Sequence, residues 1–455
     1  MRLLIKNGTV VNSDNKFISD VLCVDNKIVE IANSIELSDD DSEIIDASGC
    51  FVFPGGIDPH VHMNLPSKAG FSSDDFNSGS KAALWGGTTS IIDFVTPHRS
   101  QFLDEAIHQR LTEASNCNTS FSFHISPVKW HDDMDGQIKQ CIDLGFTSFK
   151  VYTAYKDTIG ISDDDLLKVM KSVGKHGGIL LIHCELGDAI DSNKSELTKQ
   201  GKRSPFYHPL SRPSYTESQA VKNAIELAYE ACCPIYIVHV STQESLSYIR
   251  DAQKRGQLVY AETCPQYLLF DDSRYNGKFI DTASFVMSPP LRKKEDIDAL
   301  WVALADGTIH TVGTDHCPFS IKQKAEGIDD FRKIPNGVGG VEHRLQLLFT
   351  YGVVSGKITI NKFVELTSTN AARIFGLYPK KGIIDVGADA DIVIWNPEEK
   401  SMISSTTHHQ NTDINIYDGM EIVGSPEYVI LDGKLIKEGN SFSNELSVGR
   451  LLKRK

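Results

Sequence analysis

Residues 146–185 read FTSFKVYTAYKDTIGISDDDLLKVMKSVGKHGGILLIHCE. A short apolar, β-branched run carries Lys150. Ser162 then opens a helix, because Ser162 and Asp165 stand at capping-box spacing and the acidic turn of Asp163, Asp164 and Asp165 suits the helix dipole. Gly177 and Gly178 stop that helix just past Lys175. A second apolar run, ILLIHCE, carries His183 at its far end. The same alternation continues on both sides. Upstream, TTSIIDFV (88–95) and FSFHIS (121–126) read as strands, with a helix over about 104–114 between them. Downstream, a helix over 217–232 starts at Thr216, and Pro234 separates it from the strand PIYIVHVS. Ser241 with Glu244 caps a third helix that ends before Gly256, and LVYAETCPQYLLF (258–270) reads as a strand. Strand alternating with helix over roughly 300 residues predicts an α/β fold, a (β/α)8 TIM-like barrel.

In such a barrel the reactive side chains stand at the C-terminal ends of the strands. Six residues occupy that position: His60 and His62 in PGGIDPHVHMNLP, Lys150, His183, His239 in PIYIVHVS, and Asp315 in HTVGTDHCPF. His60 and His62 are two apart on a strand, so they point to one face and can grip one ion. Imidazole and carboxylate are the usual ligands of catalytic zinc. Each residue alone has a plainer reading, as a satisfied core histidine or a turn-starting aspartate. Lys150 is harder to explain that way. An unpaired ammonium inside FTSFKVYTAY is costly to bury, unless its stem carries it to the surface. The joint pattern, recurring in chain order, points to one metal site.

The two ends of the chain read differently. Residues 1–53 carry short alternating strands (LLIKNGTVV, DVLCVDNKIVEI, IIDASGCFVF), and residues 379–440 carry more (ADIVIWN, INIYDG, EYVILDGKLIKEG). Their Asn-Gly and Asp-Gly pairs are hairpin signals. Neither segment is long enough to bury a good core alone, so both are expected to join as a small β-sandwich domain flanking a barrel over 54–378. Residues 441–455 end in GRLLKRK, a basic tail expected to be either solvated or engaged in a subunit contact.

Net charge is −14, which argues against nucleic acid and anionic membranes as partners. No apolar run reaches the length of a membrane span. The start, MRLLIKNGTVV, reads as a strand and not as a signal peptide. Nine cysteines form no CxxC pair, so reduced, mostly buried thiols in a cytoplasmic protein are the expectation. Cys184 and Cys317 neighbour candidate ligands and read as small packing residues. The acidic turn SDDDSE (38–43) is the one low-complexity segment.

The ordered set HVH after GGIDP, FKVYTAYKD, IHCE, VHVS and GTDHCPF resembles the cyclic amidohydrolases of the amidohydrolase superfamily. Within that group it is most similar to dihydropyrimidinase and D-hydantoinase. GGTTSIIDFVTP, ETCPQYLLF, MSPPLR and IPNGVGGVEHR extend the resemblance over nearly the whole chain. The resemblance implies two divalent ions, most often zinc, and a Lys150 carbamylated by CO2 (N6-carboxylysine). That modification turns a costly buried ammonium into a bridging carboxylate. It further implies that His60, His62, Lys150 and Asp315 hold one metal, that Lys150, His183 and His239 hold the other, and that a bridging hydroxide opens a cyclic amide. Asp315 would shuttle the proton, and Tyr155 would donate to the developing oxyanion. Backbone groups of Ser288 and Asn336 would pair with the substrate's imide edge. Met63, Asn64, Leu65 and Phe71, with Tyr152 and Ile159, would form the pocket for a ring substituent.

Dihydroorotase-like chains place an Arg after the HxH, where this chain has Met63 and Asn64. Allantoinase-like chains place Glu-Pro there, where this chain has Leu65-Pro66. The expected substrates are therefore dihydropyrimidines or hydantoins, opened to N-carbamoyl amino acids. An allantoinase-like or other cyclic ureide hydrolase is the alternative. A non-enzymatic scaffold of the same fold is the alternative from another class, and retention of all six ligands argues against it. The resemblance also implies a homotetramer.

Overall fold

The computed structural model describes residues 2–37, 42–156, 158–443 and 449–455. Residues 38–41 of the acidic turn lie outside them. Eight parallel strands form a barrel in sequence order: β1 (Gly56–Val61), β2 (Thr88–Val95), β3 (Ser120–Ile125), β4 (Ser148–Tyr152), β5 (Ile179–His183), β6 (Ile235–Ile237), β7 (Val259–Thr263) and β8 (Thr311–Val312). Helices cover their outer faces, which is why these strands read as continuous apolar runs. Every residue of β2 is buried.

The barrel closes between β1 and β8 with little regular pairing. Asp315 N–H donates to His60 O at 2.9 Å and His62 N–H to His316 O at 2.8 Å. Beneath them the buried Asp58 carboxylate accepts from Thr314 Oγ1 at 2.6 Å and from Thr314 N–H at 3.2 Å. The fully buried Arg344 guanidinium donates to Ile57 O, Val312 O and Thr88 Oγ1, spanning β1, β8 and β2.

Both ends of the chain meet in one nine-stranded mixed sheet. Its seam is the antiparallel pairing of Phe51–Pro54 with Ile392–Met402, where Pro54 faces Ile392 and Phe51 faces Trp395. Leu3, Ile5, Val52, Ile392, Ile394 and Ile430 share its core. Among the described residues no helix is long and apolar enough to cross a membrane.

Several local expectations are corrected. LVYAETCPQYLLF is a strand only to Thr263. Pro265, which has no N–H to give a ladder, begins a short helix, Pro265–Leu269. The third helix is capped by Thr242, whose Oγ1 accepts from Ser245 N–H, while Ser241 Oγ donates to the buried Glu217. INIYDG is a turn, because Asn415 Oδ1 accepts from Tyr417 N–H at 3.0 Å and curls the backbone.

Residues 449–455 are not a solvated tail. They run beside β3, with Phe121 N–H donating to Arg450 O and Leu452 N–H to Phe121 O. Leu452 enters the apolar cluster of Ile57, Ile92, Leu181 and Phe375. The buried Arg454 guanidinium donates to Ser148 Oγ and Phe123 O. Truncation of Leu452 to Ala is expected to destabilise the protein by about 2–5 kcal/mol, the usual range for a large-to-small core change. An earlier midpoint in chemical denaturation would register it.

Candidate metal centre and substrate cavity

All six ligand candidates converge on a cavity of ≈ 580 Å³ at the C-terminal mouth of the barrel. His60 and His62 sit at the end of β1 and immediately beyond it. Asp315 follows β8 and reaches both: its Oδ1 lies 3.1 Å from His60 Nε2 and 3.0 Å from His62 Nε2. His183 ends β5, and its Nδ1 faces His239 Nε2 at 2.9 Å. The Lys150 Nζ lies over the Phe94 ring at 5.2 Å and the Tyr152 ring at 5.1 Å, and it is buried with no hydrogen-bond partner. Tyr155, His239 and Asp315 hold positive φ angles of 60°, 38° and 53°. Such backbone strain is sustained only where packing over-determines it, and it concentrates at functional sites.

The charges are arranged around this centre. Burial disfavours a charged His60, yet Glu262 and Asp315 outweigh it and push the imidazole up to about 9. Burial also opposes ionisation of Asp315, and His60 and His62 hold its carboxyl well below the usual range. Burial lowers His62, His183 and His239, so their lone pairs are available for a cation. Burial pushes the Lys150 amine down to about 8.

The outward-facing nitrogens are held by partners that sequence reasoning missed. His60 Nδ1 meets Glu262 Oε1 at 2.6 Å, and His183 Nε2 meets Glu185 Oε2 at 2.9 Å. Such pairings fix the ring orientation of metal-binding histidines. Glu185 is in turn bound by the buried Arg212, whose second nitrogen approaches the Tyr155 hydroxyl at 3.4 Å. The signal for Glu185 was present in IHCE, two residues past His183. Glu262 stood in YAET near the end of β7. The donor types, their mutual approach and the orphaned Lys150 amine fit a site for divalent cations. A second His/Glu group, Glu342, His343 and His408, is not part of the cavity lining, and its His343 Nδ1 is buried without a hydrogen-bond partner. The Asn415 amide approaches both His343 Nε2 and His408 Nδ1, and Glu342 is bound by His409.

The remaining expected residues divide. Asn64, Leu65, Phe71, Tyr152, Tyr155, Ile159, Ser288 and Asn336 line the cavity. Met63 does not, and this corrects the sequence reading. Its N–H donates to Asp93 and its carbonyl accepts from Arg110, so the backbone is clamped and the side chain is driven into the core against Gly79. Cys184 and Cys317 are buried free thiols.

Two loops that line the cavity carry polar groups without partners. The Ser288 Oγ is buried without a partner. Among the described residues nothing bonds the backbone N–H or C=O of Ser288 or the C=O of Asn336.

Replacing Glu262 by Gln removes the carboxylate that orients His60. It is expected to weaken cation retention by about 10–100-fold, the usual cost of losing such a partner. Elemental analysis after graded chelator dialysis would measure it.

Residues 51–436 match the model of the amidohydrolase family. The chain is 40% identical to a D-hydantoinase of Geobacillus stearothermophilus, over all of this chain and 97% of that protein. It is 41% identical to a dihydropyrimidinase of Rattus norvegicus, over all of this chain and 89% of that protein. The crystal structure of dihydropyrimidinase from Brevibacillus agri superposes with a TM-score of 0.97 at 39% identity, covering 100% of this chain and 99% of that one. The motifs, the barrel and these likenesses agree: the chain belongs to the amidohydrolase family.

Proposed function

We propose that this enzyme hydrolyses the ring of 5,6-dihydropyrimidines or hydantoins to N-carbamoyl amino acids. One observation carries the reading. The convergent donors share a cavity with two loops whose free backbone groups suit a cyclic imide. The relatives named D-hydantoinase and dihydropyrimidinase support the same ring class.

His60, His62 and Asp315 would hold one divalent cation and His183 and His239 another, with Lys150 serving both. Imidazole and carboxylate donors favour zinc. When bound, the pair of cations supplies hydroxide near neutral pH and polarises the ring carbonyl. Lys150 joins the set by adding its amine to CO2 and losing a proton, which leaves a carbamate. Burial favours that step by pushing the amine down to about 8, which raises its neutral fraction near neutral pH well above that of an exposed lysine. Asp315 accepts the proton of the attacking hydroxide and returns it to the ring nitrogen as the C–N bond breaks. The Tyr155 hydroxyl, steadied by Arg212, donates to the oxygen of the attacked carbonyl. Backbone groups of Ser288 and Asn336 pair with the imide edge. Leu65, Phe71, Tyr152 and Ile159 border the space left for a ring substituent. The reading includes a homotetrameric assembly and a cytoplasmic location.

A site built on hydrogen bonds rejects analogues that lack them, whereas an apolar wall discriminates only weakly by size. Steady-state assays should therefore show faster turnover of dihydrouracil, hydantoin or 5-benzylhydantoin than of dihydroorotate or allantoin. Faster turnover of either of the last two than of all the first three overturns the assignment.

Lys150→Ala should lose bound metal and activity together, with short carboxylic acids restoring part of both. Elemental analysis beside the same assay checks this. A variant that keeps both metals and full turnover would remove Lys150 from the centre.

A further inference from the structure

Lys324 ends the short helix Ile321–Lys324 and is 1% exposed. It is not among the residues that line the cavity. Its Nζ donates to Val286 O at 2.9 Å, to Pro335 O at 2.8 Å and to Gly337 O at 2.8 Å. An ammonium has three N–H donors, and here each meets a carbonyl. Among the described residues no carboxylate pairs with it. An apolar side chain of similar length would fill this space without the cost of desolvating a charge. The ammonium is thus held for its three bonds.

Those bonds join two loops. Val286 lies two residues before Ser288, and Pro335 and Gly337 bracket Asn336. The Val286 carbonyl also accepts from Gly337 N–H at 3.1 Å. That N–H belongs to the same peptide unit as the Asn336 carbonyl. In a planar trans peptide the two point in opposite directions, so the Asn336 carbonyl is aimed away from Val286. The far side of the Ser288 loop is pinned in the same manner. His208 Nε2 bonds Met287 O at 2.8 Å, and the Tyr267 hydroxyl donates to Pro289 O at 2.7 Å. In both loops the flanking carbonyls are tied down while the central residue keeps its backbone groups open.

We propose that Lys324 is a positioning residue that sets the spacing and aim of the two loops reading the imide edge of the substrate. This rests on the reading above that Ser288 and Asn336 face that edge. Lys324 acts through the loops and touches no reacting atom. Its loss should therefore fall on binding more than on the chemical step.

The test uses the metal-loaded enzyme with hydantoin. Lys324→Met keeps the length and removes the donors. It should raise KM by about tenfold or more while kcat stays within about threefold, with metal content unchanged. Unchanged KM, or a parallel fall in kcat and metal content, overturns the proposal. If that variant does not fold, Lys324→Arg decides: it keeps donors in a larger planar head that displaces the loops. A raised KM with kcat retained supports the proposal, and any other kinetic result overturns it. The underlying reading is tested separately on the unaltered enzyme. Hydantoin methylated on its imide nitrogen should compete poorly with hydantoin. Competition as strong as that of hydantoin itself would remove the imide-edge reading, whatever the variants do.

Discussion

The site depends on how β1 meets β8. Neither strand offers the other a long ladder, and the closure falls instead to buried polar groups: Asp58 gripping Thr314, and Arg344 bridging the carbonyls of Ile57 and Val312. Burial pushes the Asp58 carboxyl up and the Arg344 guanidinium down, so each charge needs its partners. That closure brings His60 and His62 from one end of the barrel sequence against Asp315 from the other. No local feature of either segment could do so. The donor cluster is thus a consequence of barrel geometry as much as of residue identity.

Around this seam the outer partners form a second ring. Glu262 holds His60, Glu185 holds His183, and Arg212 joins Glu185 to Tyr155. An imidazole free to turn would meet a cation only part of the time. A carboxylate on its far nitrogen fixes both its tautomer and its direction. The positive φ angles at His239 and Asp315 belong to the same economy, since strained backbone aims these side chains across the mouth and the packed barrel holds them there. Lys150 is the exception, buried against two aromatic rings without a hydrogen bond. It is the atom in the centre that most needs chemistry to complete it.

Much of this was legible in the sequence. The strand–helix alternation foretold the barrel, and the polar residues at strand ends foretold the cluster of donors at its mouth, because strand period and barrel polarity together dictate where such residues point. Met63 was misplaced because apolar character alone does not distinguish a cavity wall from a core. What decides it is the clamp by Asp93 and Arg110, from elements distant in sequence. Glu262 and Lys324 went unread for a related reason. Their partners are brought to them only by the fold: His60 from the first barrel strand for Glu262, and the carbonyls of Val286, Pro335 and Gly337 for Lys324. The C-terminal GRLLKRK read as either a solvated end or a subunit contact because its charge was visible and the buried acceptors for Arg454 were not.

The seam between Phe51–Pro54 and Ile392–Met402 also constrains how the molecule is made. A ribosome extends a chain from one end, so the first strands emerge hundreds of residues before the strand that completes their sheet. Residues 449–455, which seal the floor of the barrel beside β3, come later still. During synthesis the early strands present an open edge of the kind that invites pairing with other chains. Long-range contacts of this sort fold slowly. The sheet and the barrel floor can therefore close only after the last residues of this segment have been made.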